Sequence, residues 1–447
     1  MSFPRYPEYK RTVDEWLGEL PIHWRAPALA YRYRVDLGKM LDEKRIGGEC
    51  LAPYLRNIDV QWDSINVEDL PVMDFEGKDL IRYSVSVGDL LVCEGGDVGR
   101  AAIWNGALST CFYQKALHRL RPLRADADVP RFMFYLLSAS STSGRFNAYS
   151  GKSTIAHLTA EGLRRYRFGF PPAIEQKAIV EFLDRETSKI DALVAEQEKL
   201  IALLKEKRQA LISHTVTKGL DPNVPMKDSG IEWLGQVPAH WKVGPLKRFW
   251  SVTDCKHVTA EFIDDGIALA SIREVQSRYV DLERAKRTTL FYYEQLIEGD
   301  RLPQPGDLIF SRNATVGEVA QVPVFHEQFA MGQDVCLLRR CEESYSPDYM
   351  QHVIRSPVVV EQLNTLMIGS TFKRVNVEQI RTLPVPSPPG EEQQEIAAKL
   401  EVEAGDIGLL IGEAERAIAL FKERRSALIS AAVTGKIDVR GLATSAA

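Results

Sequence analysis

Pro171-Pro172-Ala173-Ile174-Glu175-Gln176 begins a stretch that runs to Val216 with no further proline and no glycine. Leu, Ile, Ala, Glu, Lys and Gln dominate it, all good helix formers. Apolar side chains return in steps of four and three at Ile179, Leu183, Ile190, Leu193, Leu200, Leu204 and Leu211, with Glu186, Gln197 and Lys207 filling the series. A 3.5-residue period predicts a coiled-coil seam rather than a broad amphipathic face. Pro172 suits a first helical turn, where its missing N–H is not needed. Glu175 sits where the helix macrodipole favours negative charge, and Lys205, Lys207 and Arg208 gather towards the other end. Gly219 is a natural terminator. The expected helix would span roughly 60 Å at about 1.5 Å per residue.

Pro388-Pro389-Gly390-Glu391-Glu392-Gln393 begins a second stretch with a like apolar spacing. Its series is Ile396, Leu400, Ile407, Leu410, Ala414, Ala417, Phe421 and Leu428, with Glu403 and Arg424 in the remaining places and Gly435 as terminator. The two stretches close alike: Lys205-Glu206-x-Arg208-x-Ala210-Leu211-Ile212-Ser213 returns as Lys422-Glu423-x-Arg425-x-Ala427-Leu428-Ile429-Ser430. The likeness extends upstream. Trp16-Leu17-Gly18-Glu19-Leu20-Pro21-Ile22-His23-Trp24 returns, 217 residues on, as Trp233-Leu234-Gly235-Gln236-Val237-Pro238-Ala239-His240-Trp241. Gly88-Asp89-Leu90-Leu91 returns as Gly306-Asp307-Leu308-Ile309 at an offset of 218, and Ser153-Thr154 as Ser370-Thr371 at 217. Matches in one order at nearly one offset mean a duplicated unit of about half the chain, far longer than the roughly 20–50 residues of a solenoid repeat. Each apolar stripe needs cover, and the economical solution pairs the two helices. The pattern leaves parallel and antiparallel pairing open, while duplication favours antiparallel, with equivalent units about a pseudo-two-fold axis. Such a pair can hold domains apart, or serve as a ruler and docking stem.

Outside the helices the chain reads as mixed α/β. Short β-prone runs bounded by Gly, Asp and Asn predict strands at Ser86 to Val92 and Pro305 to Phe310, each fed by a Gly-Asp turn, with a second turn at Gly95-Gly96 and at Asn313. Short helices are expected at Pro130 to Ala139 and Pro347 to Ile354. The expected domains are a globular unit (1–172), a first helix (173–218), a linker with a second globular unit (219–389), a second helix (390–435) and a C-terminal tail (436–447). The linker at Gly219 to Gly230 is marked by Asp221-Pro222 and Asp228-Ser229-Gly230.

Hydrophobic residues make up 45% and charged residues 26% of the chain, as in an ordinary soluble globular protein. No apolar run is long enough for a membrane span. Met1 to Lys10 has no apolar core of the secretory kind, so a cytoplasmic protein is expected. The six cysteines form no C-x-x-C pair, which argues against a zinc site and a disulfide framework. Net charge is −5, distributed as +2 over 1–172, zero over 173–220, −4 over 221–390 and −3 over 391–447. No segment is strongly basic, so nucleic-acid binding has to rest on local clusters or on a partner's charge.

Catalytic signatures are missing. Gly151-Lys152-Ser153 lacks the glycine a phosphate loop needs five positions upstream, where Phe146 stands. Gly95-Gly96-Asp97-Val98-Gly99 is not a dinucleotide fingerprint, and Phe170-Pro171-Pro172-Ala173 and Ser387-Pro388-Pro389-Gly390 lack the polar and aromatic members of an amino-methyltransferase motif. No H-x-x-x-H pair occurs, and His23 and His240, at equivalent repeat positions, read as local structural residues. No metal site and no catalytic residue is expected.

The order of these motifs resembles the specificity subunits of type I restriction–modification systems across nearly the full chain. The Pro-Pro-x-x-Glu-Gln element with its helix, present twice, is the most specific part. The resemblance implies an α/β architecture in which two target-recognition domains are separated by an antiparallel two-helix coiled coil. It implies a non-catalytic subunit, each domain reading one half of a split duplex DNA site and the helices setting the spacing. Two methyltransferase subunits would dock on the stem, and restriction (helicase–nuclease) subunits would join them. S-adenosylmethionine, ATP and Mg would be bound by those partners, and target adenines would be flipped there. Base readout is expected from Arg or Lys to guanine and Asn or Gln to adenine. The candidates are Arg56, Asn57, Arg100 and Lys152 in the first unit and Arg273, Arg312, Asn313, Lys373 and Arg374 in the second, with Arg56 and Arg273 in loosely equivalent segments. Any one of them can equally be a solvated charge or a phosphate contact. Two rivals remain: a coiled-coil adaptor with two protein-binding domains, and a self-contained DNA-modifying enzyme.

Overall fold

The two proline-led stretches are helices in the computed structural model, which describes residues 3–40, 47–148, 157–367 and 374–442. They span Ala173–Lys218 and Gly390–Val433. Gly219 and Gly435 end them at φ +76° and +71°, a left-handed conformation that costs glycine little.

The chain forms two compact units, residues 1–197 with 416–447, and residues 198–415. Each long helix therefore begins in one unit and ends in the other. In the first unit Ile179, Phe182 and Leu183 share a core with Leu428, Ile429 and Ala432. Asp191 pairs with Arg425 at 2.8 Å, while the N-terminal segment binds the start of the first long helix and the end of the second, Tyr6 donating to Glu175 at 2.7 Å and Tyr9 to the Gly435 carbonyl at 3.0 Å, so the two helical segments run antiparallel. In the second unit Val216 shares a core with Ile396 and Leu400, with Leu211 and Ile212 packed against it.

The seam differs in phase from the expected series. Ile179, Leu183, Ile190, Ile396, Leu400, Ile407 and Leu428 are buried, and Leu204, Leu211 and Phe421 are half-buried. Leu193, Leu200 and Leu410 are instead exposed, and their neighbours Val194, Ile201 and Ile411 turn inward. The buried positions take two successive steps of four at Ile179-Leu183-Thr187 and again at Ile396-Leu400-Ala404. A helix with about 3.6 residues per turn drifts some 20° per heptad from a strict 3.5 repeat, and the extra four-residue step restores the face.

Each globular unit is built on the same four-stranded antiparallel sheet. In the first unit the strands used below are β1 (Tyr33–Leu37), β2 (Leu51–Leu55), β3 (Val72–Asp74), β4 (Leu90–Cys93), β5 (Ala101–Ile103), β6 (Phe112–Tyr113) and β7 (Leu117–Pro122), with helix α1 at Pro130–Thr142 and the long helix α2 at Ala173–Lys218. In the second they are β8 (Trp250–Asp254), β9 (Phe262–Ile263), β10 (Ile267–Ala270), β11 (Lys286–Thr288), β12 (Leu308–Ser311), β13 (Val319–Gln321), β14 (Phe329–Met331) and β15 (Val335–Arg340), with α3 at Pro347–Arg355 and the long helix α4 at Gly390–Val433. The antiparallel sheets run β1-β7-β4-β5 and β8-β15-β12-β13. A second sheet, β6-β2-β3 or β9-β11-β10-β14, is held by one parallel pair: Leu55 faces Tyr113, and Ala270 faces Met331.

The recurring motifs are structural joints. Gly88 and Gly306 take positive φ, and the following Asp caps the turn. Asp89 then pairs with Arg121 at 2.5 Å and Asp307 with Arg339 at 2.7 Å, riveting β4 to β7 and β12 to β15. Gln176 and Gln393 bind backbone, accepting from Val129 N and Ser346 N at 2.9 Å and donating to the Pro171 and Pro388 carbonyls. Each Gln thus holds the start of its long helix against the start of α1 or α3.

Candidate nucleic-acid interface

In both units the same strand ends converge on one rim. The frame is set by a short turn after the parallel strand. Asp59 accepts from the Arg56 backbone N–H at 2.7 Å, and Glu274 accepts from that of Ser271 at 2.8 Å. Glu94 N donates to the Ala116 carbonyl at 3.0 Å, and Arg312 N to that of Asp334 at 2.8 Å. These pairings set a register between the units. Arg56 corresponds to Ser271, Ile58 to Arg273, Glu94 to Arg312 and Lys115 to Gln333. Arg56 and Arg273, placed in equivalent segments from sequence, are therefore two positions out of step.

The structure brings three first-unit candidates together and engages all of them. Arg56 forms a bidentate pair with Asp59, at 2.9 and 2.8 Å, and that carboxylate holds its guanidinium pKa above the ordinary arginine value. Arg100 donates to the Asn57 carbonyl and to Asn57 Oδ1, both at 2.9 Å. Asn57 Nδ2 donates to the Gly95 carbonyl at 3.0 Å. This network ties the Gly95-Gly96 turn to the rim. Lys152 lies outside the described residues, as do Lys373 and the repeated Ser-Thr pairs.

In the second unit Arg312 is 3% exposed and pairs with Asp254 at 2.8 Å. A guanidinium reading a base must present its donors outward, so Arg312 leaves the candidate set and becomes part of the rim's foundation. Asn313 Nδ2 reaches Asp334 at 3.3 Å, and Arg374 lies 3.6 Å from the same carboxylate while remaining half-exposed. Arg273 stands apart and exposed, beside a cavity of about 340 Å³.

That cavity contains residues the sequence reading missed. Arg284 and Lys286 line it with Arg273, Ser271 and Gln333. All three cations are exposed, and among the described residues none has an ion pair. Lys286 Nζ sits 4.2 Å from the centroid of the exposed Phe262 ring. Lys286 opens β11 and Arg284 lies in the turn two residues before it, so no strand periodicity marks the pair in the sequence. The corresponding first-unit positions carry a different surface: Ile58 is 64% exposed and Lys115 is exposed.

Among the described residues no group of three or more His, Cys, Asp or Glu could hold a metal, and no helix is long and apolar enough to cross a membrane. Cys93, Cys111, Cys255 and Cys336 are buried, and Cys50 and Cys341 exposed, all as free thiols.

A duplicated α/β unit with two long-helix segments packed together in each copy, and one rim frame carrying two different sets of side chains, defines a two-site recognition protein. The chain belongs to the type I restriction modification DNA specificity domain family, whose profile matches residues 79–202 and 290–403. It is 22% identical to a provisionally assigned MjaX specificity subunit of Methanocaldococcus jannaschii over 98% of this chain and 99% of that one. It is likewise 22% identical to the type I restriction enzyme EcoKI specificity subunit of Escherichia coli, over 87% and 83%. In fold it is similar to the HsdS subunit of Thermoanaerobacter tengcongensis, with a TM-score of 0.53, 15% identity and coverage of 93% and 98%. A chain solved in a study of complex assembly and conformational transition of the type I R-M system gives a TM-score of 0.71 at 14% identity, covering 93% and 98%.

Proposed function

We propose that this chain is the non-catalytic DNA-recognition subunit of a type I restriction–modification complex, each unit reading one half of a split duplex site through its rim. The observation that carries this is the rim itself: an equivalent frame holds Ile58 and Lys115 in one unit and Arg273 and Gln333 in the other. Two readers of different half-sites need a common scaffold and different side chains at its edge. Arg273 and Gln333 suit guanine and adenine in the major groove, while Lys115, Arg284 and Lys286 suit phosphates. The paired long helices set the spacing and dock two methyltransferase subunits. Exposed Leu203, Leu409 and Leu420 on those helices support such docking. Restriction subunits join the methyltransferases. S-adenosylmethionine, ATP and Mg belong to the partners, which also supply the phosphate-neutralising charge that this acidic chain lacks.

The test is footprinting of the chain assembled with its methyltransferase subunits. Protection of two short sequences at a fixed separation is expected. Binding without sequence preference would return the chain to the class of coiled-coil adaptors.

A further inference from the structure

Asp63, Arg131 and Asp184 form one ion triad in the first unit. Arg131, on α1, places Nε 2.8 Å from Asp184 Oδ1 on α2 and Nη2 2.8 Å from Asp63 Oδ2, with a second contact from Nη1 to Asp63. Tyr135, one turn further along, donates to the same Asp184 oxygen at 2.6 Å. Arg278, Asp348 and Glu401 form a triad in the second unit. Arg278 Nη2 lies 2.9 Å from Asp348 Oδ1 on α3, and Nη1 pairs with Glu401 on α4.

The three positions correspond. Asp63 and Arg278 follow the rim turn at equal distance from Leu55 and Ala270. Arg131 and Asp348 are each second in a helix opened by proline. Asp184 and Glu401 lie equally far past Gln176 and Gln393. The polarity does not correspond. The cation stands on the short helix in the first unit and on the rim-side loop in the second, while the long helix contributes an acid to both. One cation holding two carboxylates has thus been kept, although the residue supplying it has changed place. A single exposed ion pair contributes little. Here loss of the cation would leave two carboxylates facing each other, and burial opposes the Arg131 charge but is outweighed by Asp63 and Asp184.

The loop that carries Asp63 continues directly from the Arg56–Asp59 turn, as the loop with Arg278 does from Ser271–Glu274. The triad therefore joins the back of each rim to its long helix. We infer that the two charge-permuted triads are positioning devices that fix each recognition rim on its helix and so set the half-site separation the protein accepts. This rests on the DNA-reading function above.

The experiment uses the full chain with its methyltransferase subunits and duplexes whose half-sites are at the native separation or one base pair closer or farther. Arg131→Gln leaves two carboxylates without their cation, and its preference for the native separation is expected to fall about tenfold. Asp63→Arg/Arg131→Asp/Asp184→Glu writes the second unit's triad into the first and is expected to restore the preference. A role in stability alone would lower affinity for all three separations together. The inference is overturned if Arg131→Gln keeps the wild-type preference, or if the triple variant, folded by circular dichroism, is no better than Arg131→Gln. Absence of any separation preference in the wild-type complex would sink the function reading instead.

Discussion

Trp24 donates its indole N–H to Glu175 Oε1 at 2.9 Å, while the adjacent His23 binds the other carboxylate oxygen at 2.7 Å. Trp241 and His240 grip Glu392 in the same way, at 3.0 and 2.8 Å. The opening motif of each unit is thus clamped to the first turn of its long helix. The clamps differ in depth. Tyr6 adds a third donor to Glu175 at 2.7 Å, and the Glu175 side chain is 6% exposed against 23% for Glu392. Glu175→Ala would strand buried donors, at a cost of about 3 kcal/mol, and Glu392→Ala about 1 kcal/mol. Urea denaturation of the two variants measures the difference, and equal costs would refute the burial argument.

These clamps explain why the sequence was so legible at the motifs and so opaque at the rim. His-Trp, Glu-Gln and Gly-Asp are joints between distant segments, and a joint needs the same chemical groups in both copies. The long helices were visible for the same reason, since their stripe is a repeated demand for apolar side chains. The phase was lost at Leu409-Leu410-Ile411, where three consecutive apolar residues satisfy either series and only the helix drift selects Ile411. At the rim, Arg312 and Arg273 look alike in sequence. Asp254, which neutralises Arg312, is distant in the chain and reaches it only through the sheet. Arg284 and Lys286 straddle the start of β11, and nothing in the sequence brings them to the cavity that Gln333 also lines.

Arg312 yields a different expectation in the structure than in the sequence. Its Nε is buried without a partner, and its Nη2 depends on Asp254, whose side chain is 33% exposed. Removing Asp254 would strand a buried cation, whereas removing Arg312 leaves a carboxylate whose Oδ1 is buried but whose side chain is otherwise open to water. Asp254→Ala is expected to cost about 3 kcal/mol and the shape-preserving Arg312→Met about 1 kcal/mol. Arg312→Met should then weaken binding to all DNA sequences alike. Chemical denaturation and a panel of half-site mutants check both parts, and a discrimination loss confined to one base pair would put Arg312 back among the readers.

His118 makes the first unit sensitive to acid. It is fully buried, its Nε2–H donates to the Leu158 carbonyl at 2.6 Å, and its Nδ1 has no partner. Burial lowers its pKa below the ordinary histidine value. The unfolded chain therefore takes up the proton first. The stability contribution is complete above the unfolded pKa of about 6.5 and is lost as pH falls from there to the folded pKa, with a slope of up to about 1.4 kcal/mol per pH unit. His118→Gln keeps a donor for Leu158 but cannot titrate. Its stability should be flatter with pH in that window, leaving the slope from His352, whose pKa burial also lowers. Thermal melts between pH 7.5 and 5 measure this, and parallel curves for variant and wild type would exclude His118 as the source.

Arg273 and Lys286 line the same cavity, yet they should fail differently. Arg273 presents a planar fork that can take two acceptors of one guanine, so its contribution depends on which base is there. Lys286, seated over Phe262, offers a compact charge suited to any phosphate. Arg273→Ala is expected to cost about 1–3 kcal/mol on the cognate half-site and to relax selectivity at one position of it, leaving the other half-site as strict as before. Lys286→Ala should weaken binding evenly across sequences and lower the slope of log affinity against log salt by about one. Titrations of the assembled complex at several salt concentrations, on duplexes altered one base pair at a time, separate the two. If Arg273→Ala instead lowers affinity evenly and reduces the salt slope, Arg273 contacts phosphate. The reader in that unit must then be sought at Gln333, the rim position across the cavity that corresponds to Lys115.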